Sequence, residues 1–332
     1  FIIIMHKAPG LKIIIITFII FLFSIALYII WYFQIEKIST QELKSIQNQL
    51  LNKNIHITWE QEYKSGFPYR IEKELNNINI KFKNINLSTE KLKIIYQPWN
   101  KNHVIFLIPN NITIQYGQER IIVNNSKILA SLIIDKFFHI NASIVSDEIS
   151  FNFLKKNYDF NKVKMHLKTS DEDELRFAIL ADKLLLPPLF IKKNIINALY
   201  IDGDLINYKN FDINSYYSWL YKEGGINIKN FKLTFNETNL NGNAFLSLDK
   251  NFDIQSTLSM YSNNLNNMFA LLEQDKFISK NTIKKASLII KAIEVASELS
   301  NQKATFSINI RSGYLYLMGI KLIEVPNLKS FL

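Results

Sequence analysis

Few residues in this chain stand at spacings that could do chemistry. The histidines are scattered singly, and none has a second histidine at metal-ligand spacing: they are His6, His56, His103, His139 and His166. The chain has no cysteine, which excludes disulfides, thiolate nucleophiles and cysteine-based metal sites. It carries no motif of a serine hydrolase, a zinc peptidase, a P-loop or a dinucleotide-binding fold. The sequence therefore predicts no enzymatic activity, no catalytic or metal-binding residue and no cofactor.

Two acidic segments are explained by local structure. Asp171 to Glu174 lacks the spacing of a calcium-binding loop and suits a solvated loop or the first turn of a helix. That helix is predicted from Leu175 to Leu186, where Pro187 and Pro188 would end it. Asp202-Gly203-Asp204 is expected to be a turn between apolar stretches. A divalent-cation site at the first segment is the alternative.

The segment Ser65 to Arg70 is harder to dismiss. Gly66, Phe67 and Pro68 predict a sharp bend between two strands, with Arg70 directly after the aromatic Tyr69. Arg70 then has two interpretations. It either pairs with a nearby carboxylate in a stiff turn, or it contacts a lipid headgroup or a partner protein, since arginine suits phosphate.

A second segment, Gln97 to Val104, contains Pro98, Asn102 and His103. It is typical of a tight loop that leads the chain into a buried strand. The following residues, Val104 to Ile108, are apolar throughout, which indicates a strand with both faces covered.

These segments follow a long apolar run, Ile13 to Phe33, which no charged residue interrupts. About 20 apolar residues suffice to cross a hydrocarbon core of roughly 30 Å. Lys7 and Lys12 precede the run without any acidic residue, so the positive-inside rule predicts a cytoplasmic N-terminus. A signal peptide cleaved after Ala26 is the alternative, although it would leave an apolar N-terminus. Met5 is a candidate true start.

The chain is accordingly divided into a cytoplasmic N-terminus over residues 1–12, a transmembrane helix over 13–33, a stalk helix over 34–54 and a periplasmic β-rich domain over 55–332. Ser39 and Glu42 predict a capping box at the start of the stalk helix.

The remaining sequence predicts an α+β domain with a mainly antiparallel sheet and a few amphipathic helices. Apolar residues alternate in many short runs, most clearly in a three-stranded meander from Ile226 to Met260. Helices are expected at Ile213 to Tyr221, Leu265 to Leu272 and Ala286 to Leu299. Residues Ala304 to Val325 predict a hairpin that turns at Arg311-Ser312-Gly313.

The formal net charge is +10, with basic residues spread through alternating strands. A basic domain beside a bilayer suits anionic headgroups. Nucleic acid is a poorer partner, because the chain has neither a Lys/Arg block nor a recognisable nucleic-acid motif.

Several motifs occur in a fixed order: Gly66 to Arg70, Pro98 to His103, Trp219 with Gly224 and Gly225, and Gly313 through Gly319 to Pro326. Together they resemble the domain of unknown function 2125 family of bacterial envelope proteins. The resemblance implies one N-terminal transmembrane helix and a large domain outside the cytoplasmic membrane, and it brings no catalytic residues. The family is also loosely similar to AsmA-like envelope proteins, whose sheet grooves are thought to hold lipid. The motif residues of unknown role are Gly66, Phe67, Pro68, Arg70, Pro98, Asn102, His103, Gly224, Gly225 and Gly313.

The sequence thus predicts a single-pass protein of the bacterial inner membrane that takes part in lipid handling or envelope maintenance. An elongated cavity lined by Ile, Leu and Phe is expected if the later helices leave part of an apolar sheet face open for acyl chains. The alternative is a structural or scaffolding module that binds another envelope protein through a sheet edge. A packed core with a long exposed edge strand would favour that alternative.

Overall fold

The computed structural model describes residues 9–109, 111–135, 139–153, 156–169, 174–185, 195–210, 219, 223–235, 238–249, 253–262, 280–300 and 305–325. Its first element is helix α1, Pro9–Asn52, which covers the predicted transmembrane and stalk helices in 44 continuous residues. The predicted capping box is wrong. Ser39 lies inside the helix, where its Oγ donates to the carbonyl oxygen of Glu36 at 2.7 Å.

After α1 the described chain forms one antiparallel sheet of 18 strands, a short 3-10 helix at Tyr208–Asn210 and one further α-helix. The α+β prediction, with an apolar N-terminal helix and a mainly antiparallel sheet, is therefore confirmed. The strands are β1 (Ile55–Thr58), β2 (Gln61–Ser65), β3 (Ile71–Phe82), β4 (Ile85–Gln97), β5 (Asn100–Ile108), β6 (Ile112–Tyr116), β7 (Glu119–Asn125), β8 (Ile128–Ile134), β9 (Ile140–Phe153), β10 (Lys156–Thr169), β11 (Leu175–Leu185), β12 (Ile195–Ile206), β13 (Gly225–Phe235), β14 (Thr238–Leu248), β15 (Ile254–Ser262), β16 (Thr305–Arg311), β17 (Tyr314–Leu317) and β18 (Ile320–Glu324).

The topology is a meander with one insertion. Strand β3 pairs with β1 and β2 along one edge and with β4 along the other. The sheet then continues through β5, β8 and β9, while the β6–β7 hairpin joins β4 to β9 at one end. From β9 to β18 each strand pairs with the next one in sequence.

The meander predicted from Ile226 to Met260 is confirmed as β13, β14 and β15. In its first strand the alternation of apolar residues shifts by one position between Ile228 and Phe231. The structure explains this change by a register shift between these two residues in the β13–β14 pair. A bulge of this kind keeps both side chains on one face of the sheet.

The helix predicted from Leu175 to Leu186 is wrong. Residues Leu175–Leu185 form β11, paired with β10 on one side and β12 on the other, and Leu186 lies outside the described residues. Leu and Ala favour helices in isolation, but pairing on both edges overrides that preference. Pro187 and Pro188 lie outside the described residues.

The turn predicted at Asp202-Gly203-Asp204 is also wrong, since all three residues lie inside β12. Asp204 is buried and pairs with Lys229, whose Nζ lies 2.5 Å from its Oδ2. Gly203 stands where the backbone of β13 comes so close that a Cβ would collide with Asn227. Close backbone approach therefore explains this glycine.

The later α-helix in the described part is α2, Lys280–Ser300, and it confirms the helix predicted from Ala286 to Leu299. The helix predicted from Leu265 to Leu272 lies outside the described residues, as does the one from Ile213 to Tyr221 apart from Trp219. The terminal hairpin is confirmed, with Ser312 and Gly313 in the turn between β16 and β17. A second turn, at Met318 and Gly319, divides the second half of this hairpin into two strands, β17 and β18.

Candidate functional site

The bend predicted at Gly66 to Arg70 is the turn between β2 and β3. Gly66 has a φ of +100°, and the backbone N–H groups of Tyr69 and Arg70 both donate to its carbonyl oxygen, at 3.2 and 3.0 Å. A Cβ at position 66 would collide with the carbonyl oxygen of Arg70. The turn therefore requires glycine for its backbone angle and for the space.

This turn packs against α1, inside the predicted transmembrane run. The hydroxyl of Tyr28 donates to the carbonyl oxygen of Pro68, and that of Tyr32 donates to the carbonyl oxygen of Arg70 at 3.0 Å. The ring of Phe67 meets Tyr32 edge to face, with centroids 5.0 Å apart. The partner of this motif is thus the chain's own helix.

Arg70 itself forms an ion pair with Glu72 through its Nε, as one of the two sequence interpretations predicts. Its side chain remains more than half exposed. The pairing therefore satisfies the first interpretation without removing the guanidinium from the surface.

The second motif forms the turn between β4 and β5, as predicted. Pro98 is buried in that turn, Asn102 is exposed on β5, and the Nε2 of His103 lies 2.9 Å from the Oγ of Ser131. The two motifs meet at a mainly apolar cavity of about 470 Å³. Its lining comprises Tyr69, Arg70, Ile95, Tyr96, Gln97, Trp99, His103 and Ile105.

The remaining motif residues lie elsewhere in the fold. Gly224 packs under the indole of Trp219, whose Nε1 donates to the carbonyl oxygen of Ile206 at 2.7 Å. Gly225 opens β13, and Gly313 forms the β16–β17 turn with a φ of +72°. The structure therefore brings the first two motifs together. The three glycines lie at the start of β13 or in the β16–β17 turn, several strands away in the sheet.

A buried charged residue lies between α1 and the sheet. Lys73 of β3 is 1% exposed, and its Nζ donates to the Oγ1 of Thr40 on α1 at 2.9 Å. Among the described residues, its ion-pair partner is Glu62, whose Oε1 lies 3.9 Å from the Nζ of Lys73. Burial lowers the pKa of Lys73 below its ordinary value, and the attraction of Glu62 only partly opposes this shift.

Strand register aligns apolar residues from many strands on one face of the sheet. Residues directly opposite each other in an antiparallel pair project from the same face. One row of such residues follows Lys73 across the sheet: Ile94, Phe106, Ala130, Ile144, Met165, Ile179, Ile201, Phe231, Gly242, Met260 and Phe306. A neighbouring row on the same face comprises Tyr96, Val104, Leu132, Ala142, Leu167, Phe177, Gly203, Ile228, Ala244, Leu258 and Ile308.

We call these two rows the apolar face. At about 4.8 Å per strand it extends on the order of 50 Å across the sheet. The other face is more polar along the same strands, where the paired residues include Ser131, Ser143, His166, Asp202 and Asn230.

Helices cover the two ends of the apolar face. At the first end, Leu43 of α1 packs on a buried cluster of Leu75, Ile78 and Ile94. At the second end, Ala286 and Ile290 of α2 form a buried cluster with residues that include Met260 and Phe306.

Between these ends the apolar face is less covered. Neither of the two buried clusters includes a described residue from β8 to β12. In that region Ile144 is 37% exposed. Among the described residues of the two rows, Ile144 is the only one that is exposed, whereas most of the others in β8–β12 are half-buried.

A second cavity, larger than the first, also differs from the one that the sequence predicts. It has about 900 Å³ and lies at the end of β3 away from the Gly66–Arg70 turn, with a mostly polar lining that includes Thr58, Asn77, Ser88, Asn111 and Arg120. An elongated cavity lined by Ile, Leu and Phe therefore stays a prediction.

Within the described ranges, His, Asp and Glu side chains form no group of three that could hold a metal ion. Asp171, Glu172 and Asp173 lie outside those ranges.

One helix in the described part, α1, is long and apolar enough to cross a membrane. A family model for an uncharacterised protein conserved in bacteria, the domain of unknown function 2125, matches residues 34–326. The chain belongs to this family. The search of curated proteins finds no match, and neither does the search of solved structures.

The region matched to the domain of unknown function 2125 begins just after the apolar run and includes every described strand. The contacts of Tyr28 and Tyr32 with the Gly66–Arg70 turn join this region to the helix that precedes it. Sequence reasoning missed that junction. A signal for it exists, because Tyr28, Tyr32, Ile35 and Ser39 recur at the spacing of one helical face.

Proposed function

We propose that this member of the domain of unknown function 2125 family is a single-pass protein of the bacterial inner membrane with a periplasmic β-rich domain that handles lipid. In this proposal the apolar face receives acyl chains, and the protein performs no covalent chemistry. The observation that carries the proposal is the position of the apolar face, from α1 to the middle of the sheet. It starts beneath α1, the helix that could cross the membrane, and continues without a charged residue to β8–β12, whose residues belong to none of the buried clusters formed by described residues.

The energetic argument concerns the middle of the face. Exposed apolar area is unfavourable in water, whereas an acyl chain contributes about 0.8 kcal/mol for each methylene that it buries. Two neighbouring rows of Ile, Leu, Met and Phe side chains supply such contacts at every strand from β8 to β12. A chain lying across the strands would therefore meet apolar side chains along its length.

The test is photocrosslinking in the full-length protein within bacterial membranes. A benzophenone amino acid replaces Phe177 on the apolar face or Ala178, its neighbour on the opposite face of β11. We expect lipid adducts at position 177 and few at position 178, measured by mass spectrometry. Equal yields at the two positions, or no lipid at position 177, would contradict the proposal.

The alternative is a scaffolding module that binds another envelope protein by strand addition. It predicts a long exposed edge strand. In the described part of the sheet, the edge strands β1, β2 and β18 have 4, 5 and 5 residues. Short edges limit strand addition, so the lipid proposal is better supported.

A further inference from the structure

We propose that the domain makes a second membrane contact through two turns on the edge nearest the apolar run. These turns are Gly66–Arg70, between β2 and β3, and Pro98–Trp99, between β4 and β5, and together we call them the interfacial edge. We infer that this edge lies in the headgroup layer of the bilayer that α1 crosses. The inference rests on the proposed membrane crossing by α1 but not on lipid handling by the apolar face.

The depth of the interfacial edge follows from its contacts with α1. Tyr28, which donates to Pro68, lies five residues before the end of the apolar run at Phe33. At 1.5 Å per residue, this separation is about 7–8 Å along the helix axis. The headgroup layer adds only about 5–8 Å on each side of the hydrocarbon core. If Phe33 lies near the outer boundary of the headgroup layer, Tyr28 lies near its inner boundary, so a turn bonded to Tyr28 lies within that layer.

The side chains of the interfacial edge match that environment. Phe67, Tyr69 and Trp99 are exposed to 51%, 76% and 59% of their surface. Large exposed aromatics are unfavourable in water, but they suit the membrane interface, where the ring and its polar group both find partners. The ring of Phe67 also stacks on Phe33 of α1, at 6.3 Å between centroids, so the aromatic surface continues from the helix onto the domain.

The opposite ends of the same strands have a different character. The β3–β4 turn consists of Lys83 and Asn84, and the adjoining β6–β7 turn consists of Gly117 and Gln118. The hairpin turns at the end that contacts α1 thus carry three exposed aromatics. The two turns at the far end carry none, and the exposed Tyr116 there is the last residue of β6. This polarity along the strands is expected if one end meets lipid and the other meets water.

Charge at the interfacial edge is also consistent with headgroups. Arg70 keeps 60% of its side chain exposed while it pairs with Glu72, whose side chain is only 12% exposed. The accessible partner of this ion pair is therefore the cation. A guanidinium matches the geometry of a phosphate, which is the anionic group common to phospholipids.

The absence of cysteine allows a direct measurement of depth. Single-cysteine variants of the full-length chain, Tyr69→Cys and Trp99→Cys, are spin-labelled and reconstituted in vesicles of phosphatidylethanolamine and phosphatidylglycerol. The accessibility of each label to oxygen and to a water-soluble nickel complex reports its depth. Ile20→Cys in the apolar run is the membrane reference. Tyr116→Cys is the water reference, because this 54% exposed tyrosine lies beside Ile85 at the far end of β4.

We expect labels at positions 69 and 99 to have oxygen-to-nickel ratios between those of positions 20 and 116. If positions 69 and 99 match position 116 while position 20 is deep, the interfacial edge is refuted and the anchor stands. If position 20 is itself accessible to nickel, the membrane crossing fails, and the inference fails with it.

Discussion

The ammonium group of Lys73, on β3, donates a hydrogen bond to the hydroxyl of Thr40, on α1, at 2.9 Å. This bond joins the helix to the sheet at a point where the lysine side chain is almost wholly buried. A buried charge is costly, but a single polar contact in an apolar interface can fix the register of the two elements that share it. Lys73 also stands directly beside Ile94, at the start of the apolar face.

The first prediction is a pH dependence of stability. The folded-state pKa of Lys73 is lowered by burial, so between that pKa and its ordinary value of 10.5 the unfolded state binds more protons. The contribution of Lys73 to the free energy of unfolding should then rise with pH in this window. Lys73→Met should remove the rise in urea unfolding of the detergent-solubilised chain, whereas Lys81→Met, at an exposed site on the same strand, should keep it. An unchanged slope in Lys73→Met would contradict the assignment.

The second prediction concerns the contact between α1 and the turn. Tyr32→Phe removes the hydroxyl that donates to the carbonyl oxygen of Arg70 and should cost about 1 kcal/mol of unfolding free energy. Tyr32→Ala also removes a buried ring and should cost about 3–5 kcal/mol. The control is Tyr63→Phe, because Tyr63 is exposed and bonds only the nearby side chain of Gln61 in the described hydrogen bonds; its effect should stay within about 0.5 kcal/mol.

Much of the fold could be predicted because its signals are local. Alternation of apolar residues in β13 to β15 and a long uncharged run in α1 need no knowledge of distant contacts. The segment Leu175 to Leu185 is different. Its apolar residues occupy both parities, and Leu and Ala favour helices, so only its pairing with β10 and β12 makes it a strand.

The site was predictable in part for the same reason. Gly66 and Pro68 predict a turn, which the structure confirms. Nothing in that turn indicates that Tyr28 and Tyr32, some 40 residues earlier, supply its hydrogen-bond donors. The apolar face is likewise a product of register between strands, which sequence patterning alone does not define.

The third prediction separates backbone strain from steric collision. Gly66 and Gly117 both have positive φ, but a Cβ at position 66 meets the backbone of Arg70, whereas position 117 has open space. Gly117→Val should therefore cost about 1–3 kcal/mol through strain alone. Gly66→Val should cost more than Gly117→Val in the same thermal or urea melts. Equal losses would show that the turn moves to accept the side chain.

The fourth prediction tests how α2 closes the far end of the apolar face. Ile290 is buried against the cluster that contains Phe306, and Ile290→Ala should lower the free energy of unfolding by about 2–5 kcal/mol. Leu299→Ala, on an exposed position of the same helix, should change it by no more than about 0.5 kcal/mol. Similar losses in the two variants would mean that α2 does not bury the face through Ile290.

The last prediction concerns orientation. Lys7 and Lys12 lie before the apolar run with no acidic residue, whereas Glu36 follows it closely beside Lys37. This asymmetry should hold the N-terminus in the cytoplasm and place the domain on the other side. Alkaline phosphatase fused after Leu332, which folds only in the periplasm, should be active, and a cytoplasmic reporter at the same position should be silent. Lys7→Gln combined with Lys12→Gln should lower the phosphatase signal, because it removes the charge bias. A silent phosphatase fusion together with an active cytoplasmic one would reverse the proposed orientation.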